Sequence, residues 1–575
     1  MVVSSFDKGP EELMEIYGSN FANLFGTMSF ERHGQNAIQA QRIINAGGKL
    51  LLKRVCATDA TLANLVLCAK VTSTQTQKTN SAGENLFLDE SGEETTTDTG
   101  NPVYVKSATI KWESSTITGC KSYDEVVKEA AKLYDENNKV YPLFVFTDNG
   151  RGVSNKAIRI IPDYNTSKGI GKMFYTVAVY EGTASIETQP ITFDPTVIYS
   201  NTAYGLDKST CVQVNGSIDE TIYDSFIAAV AEASDLDASI IKSYDLIYGY
   251  TVRGAIINGI SIDAESIDLN SNYGIELKEG SNGAFGDKPV NSDAWTNAIV
   301  DVYEGKVTDE VWDVDQHKVH AVCGANFPNK INEAIANWAS FRKDCVFFRD
   351  LGTGLNSFSS IQSAWIEQKT RNYFVADYGT SYQIKDPVTR RNIEVTMMYD
   401  FVECLVNHFD AGAFAPLAGT VNGFILKEAI KGTVNFTPII TPTVNQKQAM
   451  DDIRVNYAIF EDDQCVVQSV YSADPDYTQL SYVNNVLAIQ EVARAVRTAC
   501  PKNRFTFENT LDMANYAKSV NNVLVNFASN FEELTFEYTQ DRLRASQKIF
   551  YASIKFKFGT WTQSEIFDLF ALSND

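Results

Sequence analysis

The feature that most constrains the fold of this chain is an α/β rhythm that begins, breaks off and resumes. The first block, residues 1–70, reads as strand, helix, strand, helix. GSNFANLFG and QNAIQAQRIINAGG have helical spacing, Gly47-Gly48 marks a turn, and KLLLKRV is the strand between helices. From Val311 the rhythm returns: HKVHAVCG is a strand, NKINEAIANWASFRK a helix, DCVFFRDLG a strand, SIQSAWIEQKTRN a helix and YFVADYG a strand. Such alternation packs as a parallel sheet with crossover helices, and the second run is expected to extend the sheet begun by the first.

The intervening residues, 71–304, have a different texture. VTSTQTQKTNSAGENLFLDESGEETTTDTG is polar, Thr-rich and acidic, as suits an exposed loop or the edge of an inserted domain. After a helix at KSYDEVVKEAAKLYDEN, the runs LFVFTD, KAIRIIPDY, MFYTVAVYEG and QPITFDP are β-branched and aromatic and are punctuated by Gly, Asn and Asp. With the helical TIYDSFIAAVAEASDLDASIIKSYD they form a β-rich outer insertion. The body then occupies 305–430, and a carboxy-terminal α+β domain occupies 431–575. In that last domain Val483, Val486, Leu487, Val492 and Val496 line one face of a helix. Leu511, Ala514, Ala517, Leu524, Phe527 and Phe531 line a second packing face, and the strand KIFYASIKFKF follows. A chain of 575 residues exceeds what one core supports, so several domains are expected.

Composition excludes several classes. The formal charge of -23 would repel nucleic acid and anionic membranes. No apolar run approaches the roughly 18 residues needed to span a bilayer, and MVVSSFDKGPEELMEIYG lacks the pattern of an export signal, which points to a cytoplasm. The nine cysteines, at 56, 68, 120, 211, 323, 345, 404, 465 and 500, are dispersed without a CxxC pair and read as small buried hydrophobes.

Chemistry is sparse. Four histidines, His33, His317, His320 and His408, leave little for acid-base or metal work, and no HExxH occurs. GSNGAFGDKP at Gly280 and GIGKMF at Gly169 lack the phosphate-loop pattern and read as turns. DVDQH lacks a metal-loop pattern. The nearest approach to a catalytic set is Asp313 or Asp315, His317 or His320, and Ser381, in the order Asp, His, Ser. A hydrolase also needs an exposed nucleophile and an oxyanion donor, and no motif around Ser381 supplies them. Neither a cofactor nor an enzymatic activity is expected.

Against that background KGPEELMEIYGSNFANLFGTMSFERHGQNAIQAQRIINAGGKLLLKRV resembles the amino-terminal region of contractile tail sheath proteins. Gly9-Pro10, Phe21, Phe25-Gly26, Gly47-Gly48 and Arg54-Val55 occupy the family's places in order. DNGRGVSNKAIRIIPDY resembles its turn before a strand. KDPVTRRNIEVTMMYDFVECLVNHFDAGAFAPLAG resembles its strongest stretch through Asp386-Pro387, Asp410, Gly412 and Ala415-Pro416-Leu417-Ala418-Gly419, with Leu417 a variation. DDIRVNYAIF, FENTLDMANYAKSVNNVLVNF and IFYASIKFKFGTWTQSEIFDLF look like its carboxy-terminal domain. The departure is at the start, where only MVVSSFD precedes Gly9-Pro10, so a full amino-terminal donor strand is not expected.

The resemblance implies a multi-domain α/β and α+β chain with a subtilisin-like middle body, an inserted outer region and a carboxy-terminal domain facing a tube. It implies a homo-oligomer of stacked hexameric rings in helical array around a tail tube protein, meeting baseplate and tail terminator proteins. Such an array contracts to drive the tube through a cell envelope, in a phage virion tail assembled in the host cytoplasm or in a related injection system. No nucleic acid would be bound and no membrane entered. The tube-facing residues would be Arg542, Arg544, Lys548, Lys555 and Lys557; period-two alternation sets Tyr551, Lys555 and Lys557 opposite Phe550, Ile554, Phe556 and Phe558. An intersubunit strand would use Ile566, Phe567, Leu569, Phe570 and Leu572, which are apolar on both faces.

Overall fold

The computed structural model describes residues 1–18, 21–163, 174–192, 212–215, 219–242, 246–247, 258–263, 274–411, 414–419, 425–426, 437–438, 442–461, 464–499, 510–539 and 551–558. The chain opens with β1 (Val2–Ser4), β2 (Leu13–Ile16), α1 (Phe21–Phe25), α2 (Phe30–Asn45) and β3 (Leu50–Arg54). The Ser29 hydroxyl accepts the Arg32 N–H and caps α2, and Gly34, at φ 73°, interrupts the helix after one turn. Gly47, at φ 84°, ends it, and β3 follows to lie between parallel β1 and antiparallel β2.

The expected helix between KLLLKRV and Lys70 is instead a strand, β4 (Asn64–Gln77), which runs through the expected boundary at residue 70. Its apolar run is continuous because both faces are covered. Leu65, Leu67, Ala69 and Val71 enter one core, whereas Val66 and Cys68 pack on a helix, α3 (Tyr123–Ala131), through Val126 and Ala130. A run of that kind has no period with which to distinguish strand from helix. Beyond Val71 the strand is exposed and carries a small hairpin, β5 (Phe87–Leu88) and β6 (Glu94–Thr95), before returning as β7 (Tyr104–Ser115).

The rest of the outer region is β8 (Val140–Asp148), β9 (Lys156–Asp163), β10 (Phe174–Glu181), β11 (Ala184–Thr192), β12 (Val212–Asn215), α4 (Glu220–Ser234), β13 (Ile260–Asp263) and β14 (Ile275–Glu276). A five-stranded sheet, β12-β8-β4-β7-β13, and a four-stranded sheet, β11-β10-β9-β14, share one core with α4, in which Phe144, Ile160, Val177, Phe226 and Val230 are buried.

The body resumes with α5 (Asp293–Tyr303), β15 (Ala321–Cys323), α6 (Asn329–Arg342), β16 (Val346–Asp350), α7 (Phe358–Glu367) and β17 (Val375–Tyr378). The hairpin β18 (Ser381–Lys385) and β19 (Asn392–Thr396), α8 (Met398–Ala411) and β20 (Val455–Asn456) complete it. Strands β15-β16-β17-β20 form a parallel sheet in chain order, as the alternation predicts. It abuts the amino-terminal sheet and shares no ladder with it: the Met1 amino group donates to the Ala321 carbonyl at 2.9 Å. The two sheets nonetheless form one layer. Val2, Leu50 and Leu52 bury with Val346 and Phe348 on one face, and Val3 and Leu51 with Phe347 and Val375 on the other.

The carboxy-terminal part contains α9 (Val483–Ala499), α10 (Thr510–Val525) and an antiparallel pair, β21 (Phe531–Thr539) and β22 (Tyr551–Phe558). The expected apolar face of α9 is buried in full. On α10 Tyr516, Val520, Val523 and Leu524 pack, followed by Phe527 and Phe531; Leu524, Phe527 and Phe531 are as expected, and Ala514 is exposed.

Candidate functional site

The stretches quoted around Gly9-Pro10, Arg54-Val55 and DNGRG lie far apart in sequence and meet at one point. Arg54 ends β3 with its side chain buried, 2 % exposed. Its Nε donates to the Phe6 carbonyl at 3.3 Å, one Nη to the Gly9 carbonyl at 2.9 Å and the other to the Arg151 carbonyl at 2.6 Å. A buried guanidinium is tolerable only when carbonyls replace its water, and its planar fork matches three acceptors in a way that lysine does not. The backbones must therefore come close. A Cβ on Gly150 would lie 2.0 Å from the Gly9 carbonyl oxygen, and Gly152 sits at φ 131°.

Ion pairs frame this junction. Arg151 makes paired bonds to Glu11 at 2.9 and 2.6 Å. Burial works to raise the Glu11 carboxyl, but the hydrogen bonds and charge of Arg151 outweigh it and hold it below the usual range. Lys8 pairs with Glu181 of β10, and Lys156 with Asp148 at 2.7 Å with both side chains buried. His33 accepts the Ser29 N–H on Nδ1 at 3.1 Å and donates from Nε2 to Asp7 at 3.0 Å, so both ring nitrogens are committed. The cavity beside these groups has a volume of about 30 Å³, room for one water. It is a joint between the amino-terminal block and the inserted β-rich region.

A second constellation escaped sequence reasoning. In QNAIQAQR the polar Gln35, Asn36 and Gln39 are buried along with Ala37, Ile38 and Ala40. Gln35 exchanges two bonds with Thr396 of β19, Asn36 donates to the Val3 carbonyl of β1 at 2.6 Å, and Gln39 donates to the Gly324 carbonyl after β15 at 3.0 Å. Arg42 then reaches Asp400 of α8 at 2.6 Å and lies over the Tyr399 ring. Asp400 in turn accepts the Tyr382 hydroxyl. Positions 35, 36, 39 and 42 form one helical stripe. It satisfies backbone groups at the seam where the amino-terminal sheet meets β15. The only available signal was its steady helical spacing of amides, which reads equally as a solvated face.

The strongest resembling stretch is structural in detail. Asp386 closes the β18–β19 hairpin by accepting the Val388 N–H and the Thr389 hydroxyl, both at 2.8 Å. Leu417 is fully buried in the body core, and Gly419, at φ 86°, donates its N–H to Val467. Gly412 lies outside the described residues, as do the structural surroundings of the Asp410 side chain.

The hydrolase set does not assemble. Ser381 is buried in β18 and donates to Glu394 at 2.9 Å. His320 packs against the Phe409 ring, and burial together with the charge of Arg494 lowers its pKa to about 4. Asp313 caps a turn by accepting the N–H groups of Asp315 and Gln316. Among the described residues, no group of three His, Cys, Asp or Glu has the placement to hold a metal ion, and no helix is long and apolar enough to cross a membrane.

Of the expected tube-facing residues, Lys555 and Lys557 lie on the exposed face of β22, with Ile554, Phe556 and Phe558 turned to the apolar side. Lys555 pairs with Glu537 at 2.7 Å and Lys557 with Glu532 at 2.5 Å. This described part of the face is therefore charge-balanced and not basic. Arg542, Arg544 and Lys548, and the strand residues Ile566, Phe567, Leu569, Phe570 and Leu572, lie outside the described residues.

No family model matches the chain, and no curated protein matches it. Solved structures do show likeness. The sheath tail protein of Listeria innocua is 8% identical, with 97% of this chain and 94% of that chain covered at a TM-score of 0.46. The sheath tail protein of Desulfitobacterium hafniense is 10% identical over 94% and 88%, at 0.44. The helical sheath of the anti-feeding prophage in its contracted state is 13% identical over 49% of this chain and 76% of that one, at 0.38.

Proposed function

We propose that this chain is the structural subunit of a contractile tail sheath, polymerising helically around a tube and shortening to drive that tube through a cell envelope. The observation that carries the reading is the Arg54 junction. Three of the stretches on which the sequence resemblance rests supply the guanidinium, two of its acceptors and the glycines that let the backbones touch, so the ordered set of motifs works as one unit. Contacts between unlike surfaces that do not close generate a helix of subunits. The work of contraction would reside in a kinetically trapped array, which asks for no catalytic centre.

The reading includes a subtilisin-like middle body, rings of six copies, and partners in a tail tube, a baseplate and a terminator. It places the chain in a virion tail assembled in a host cytoplasm or in the sheath of a non-phage injection system. It assigns tube contact to the surface bearing Lys555 and Lys557 with Arg542, Arg544 and Lys548, and subunit linkage to the strand Glu565 to Leu572. Pairing of residues 2–4 with the chain's own β3 supports giving that linkage to the carboxy-terminal strand. Negative-stain images of polymerised protein test it: striated cylinders in a long and a shortened form are expected, and filaments of a single fixed length would overturn the reading.

A further inference from the structure

At the carboxyl end of β16, Asp350 is fully enclosed, and its two carboxyl oxygens are treated unequally. Oδ2 accepts the Asn326 N–H at 2.9 Å and the Thr396 hydroxyl at 2.7 Å. Oδ1 has no hydrogen-bond partner. Close by, Asn332 of α6 points its amide nitrogen at the carbonyls of Phe327 and Asp350 itself, and its Oδ1 is likewise buried without a partner. A buried carboxylate oxygen without a donor bears its full desolvation cost unless a proton occupies it.

Among the described residues, no Lys, Arg or His side chain pairs with Asp350. On β16 the neighbouring Arg349 is spent on Asp377 of β17 at 2.6 Å and on Glu333 of α6. The α2 stripe presents neutral Gln35 and Gln39, and the loop after β15 presents Gly324 and Asn326. β19 presents Thr396, while its Glu394 is turned to the Ser381 hydroxyl. There is no room for an added group either, since a Cβ on Gly324 would lie 2.9 Å from the Asp350 carboxyl carbon.

We propose that Asp350 is a proton-binding site of the folded body, taking up its proton on the unpartnered Oδ1 at mildly acidic pH. Burial dominates its titration and lifts it from the ordinary carboxylate range to about 6, against the Asn326 and Thr396 donors, which pull it down. The direction of the linkage follows. The folded state binds the proton more tightly than the unfolded chain does, so the site favours folding at low pH, and that contribution is lost as pH rises through about 6. The ionised form leaves Oδ1 as an unpaired buried anion at the point where α2, α6, β16 and β19 meet, and loosens that meeting point.

Asp350→Asn provides the test, because its amide reproduces the neutral acid at every pH. In urea titrations the variant is expected to be more stable than the parent at pH 7.5. The difference should shrink by about tenfold in the folding constant between pH 7 and pH 5. A variant less stable at pH 7.5, or a difference constant over that range, overturns the proposal. The second measurement does not depend on that variant folding. In a chain labelled at aspartate Cγ, one carbonyl resonance should titrate near pH 6 and move upward in Thr396→Val, which removes a donor to Oδ2; absence of such a resonance, or one unmoved by the substitution, also overturns it.

Discussion

At the scale of single residues, the molecule depends on buried polar side chains that bond between elements distant in sequence. Arg54→Lys keeps the charge and abandons the fork, leaving carbonyls of residues 6, 9 and 151 short of donors. It should cost about 3 kcal/mol, read as a lowered urea midpoint with easier proteolysis between body and outer region. Asn36→Ala strands the Val3 carbonyl and should cost about 2 kcal/mol by the same measurement. Arg54 could be picked out in the sequence because a charged residue ends an apolar strand. The Gln35, Asn36 and Gln39 stripe could not, since helical spacing of amides is the same whether the stripe faces water or a sheet edge. What turns it inward is the unfilled seam between β1 and β15, which exists only in three dimensions.

At the scale of elements, period and punctuation reported most strands and helices of the body, because alternating elements with short connections leave few other ways to pack. They failed at β4, whose two covered faces erase the period. They also missed Tyr516, Val520 and Val523 on α10, which pack in one cluster with Phe414, Phe531 and Leu534. The hairpin β5–β6 is the opposite case, an element of local contacts only. Its turns are closed by Asp89 accepting the N–H groups of Ser91 and Glu93 and by Asp98 accepting that of Gly100. Deleting Ser91 to Asn101 should leave polymerisation intact by electron microscopy. On the β21–β22 pair, changing Lys555 and Lys557 to Glu replaces two ion pairs with facing carboxylates. Tube-templated assembly should weaken most at low salt, and sedimentation of polymer across a salt series checks it.

At the scale of the whole molecule, the expectation with the widest reach is that residues beyond Gly559 link one copy to the next. Truncation after Gly559 separates the cases. Folded monomers that no longer polymerise are the expected result; aggregated or unfolded monomers assign the segment to its own domain, and normal polymerisation removes it from both roles. The change of texture along the chain marks where the α/β alternation stops and returns, but not the expected bounds at 70 and 304: β4 crosses the first, and α5 packs with the α/β elements ahead of the second. The layering was less legible. One layer built from two abutting sheets and held by amides of a helix has no counterpart in residue order.

The Arg54 junction also sets a timetable. The guanidinium is made early, yet one of its acceptors belongs to residue 151, and the body strand that completes the cores around β1 and β3 begins at Val346. At 5–20 residues per second of synthesis, roughly 15 to 60 seconds separate Arg54 from Val346 on the ribosome. During that interval the inserted region, with a core of its own, can fold as an island and close the Arg54 fork, while one side of the apolar surface of β1 and β3 still lacks its later partners. Nascent chains halted between residues 280 and 340 are therefore the ones expected to recruit a holdase chaperone, and those halted past residue 400 to release it.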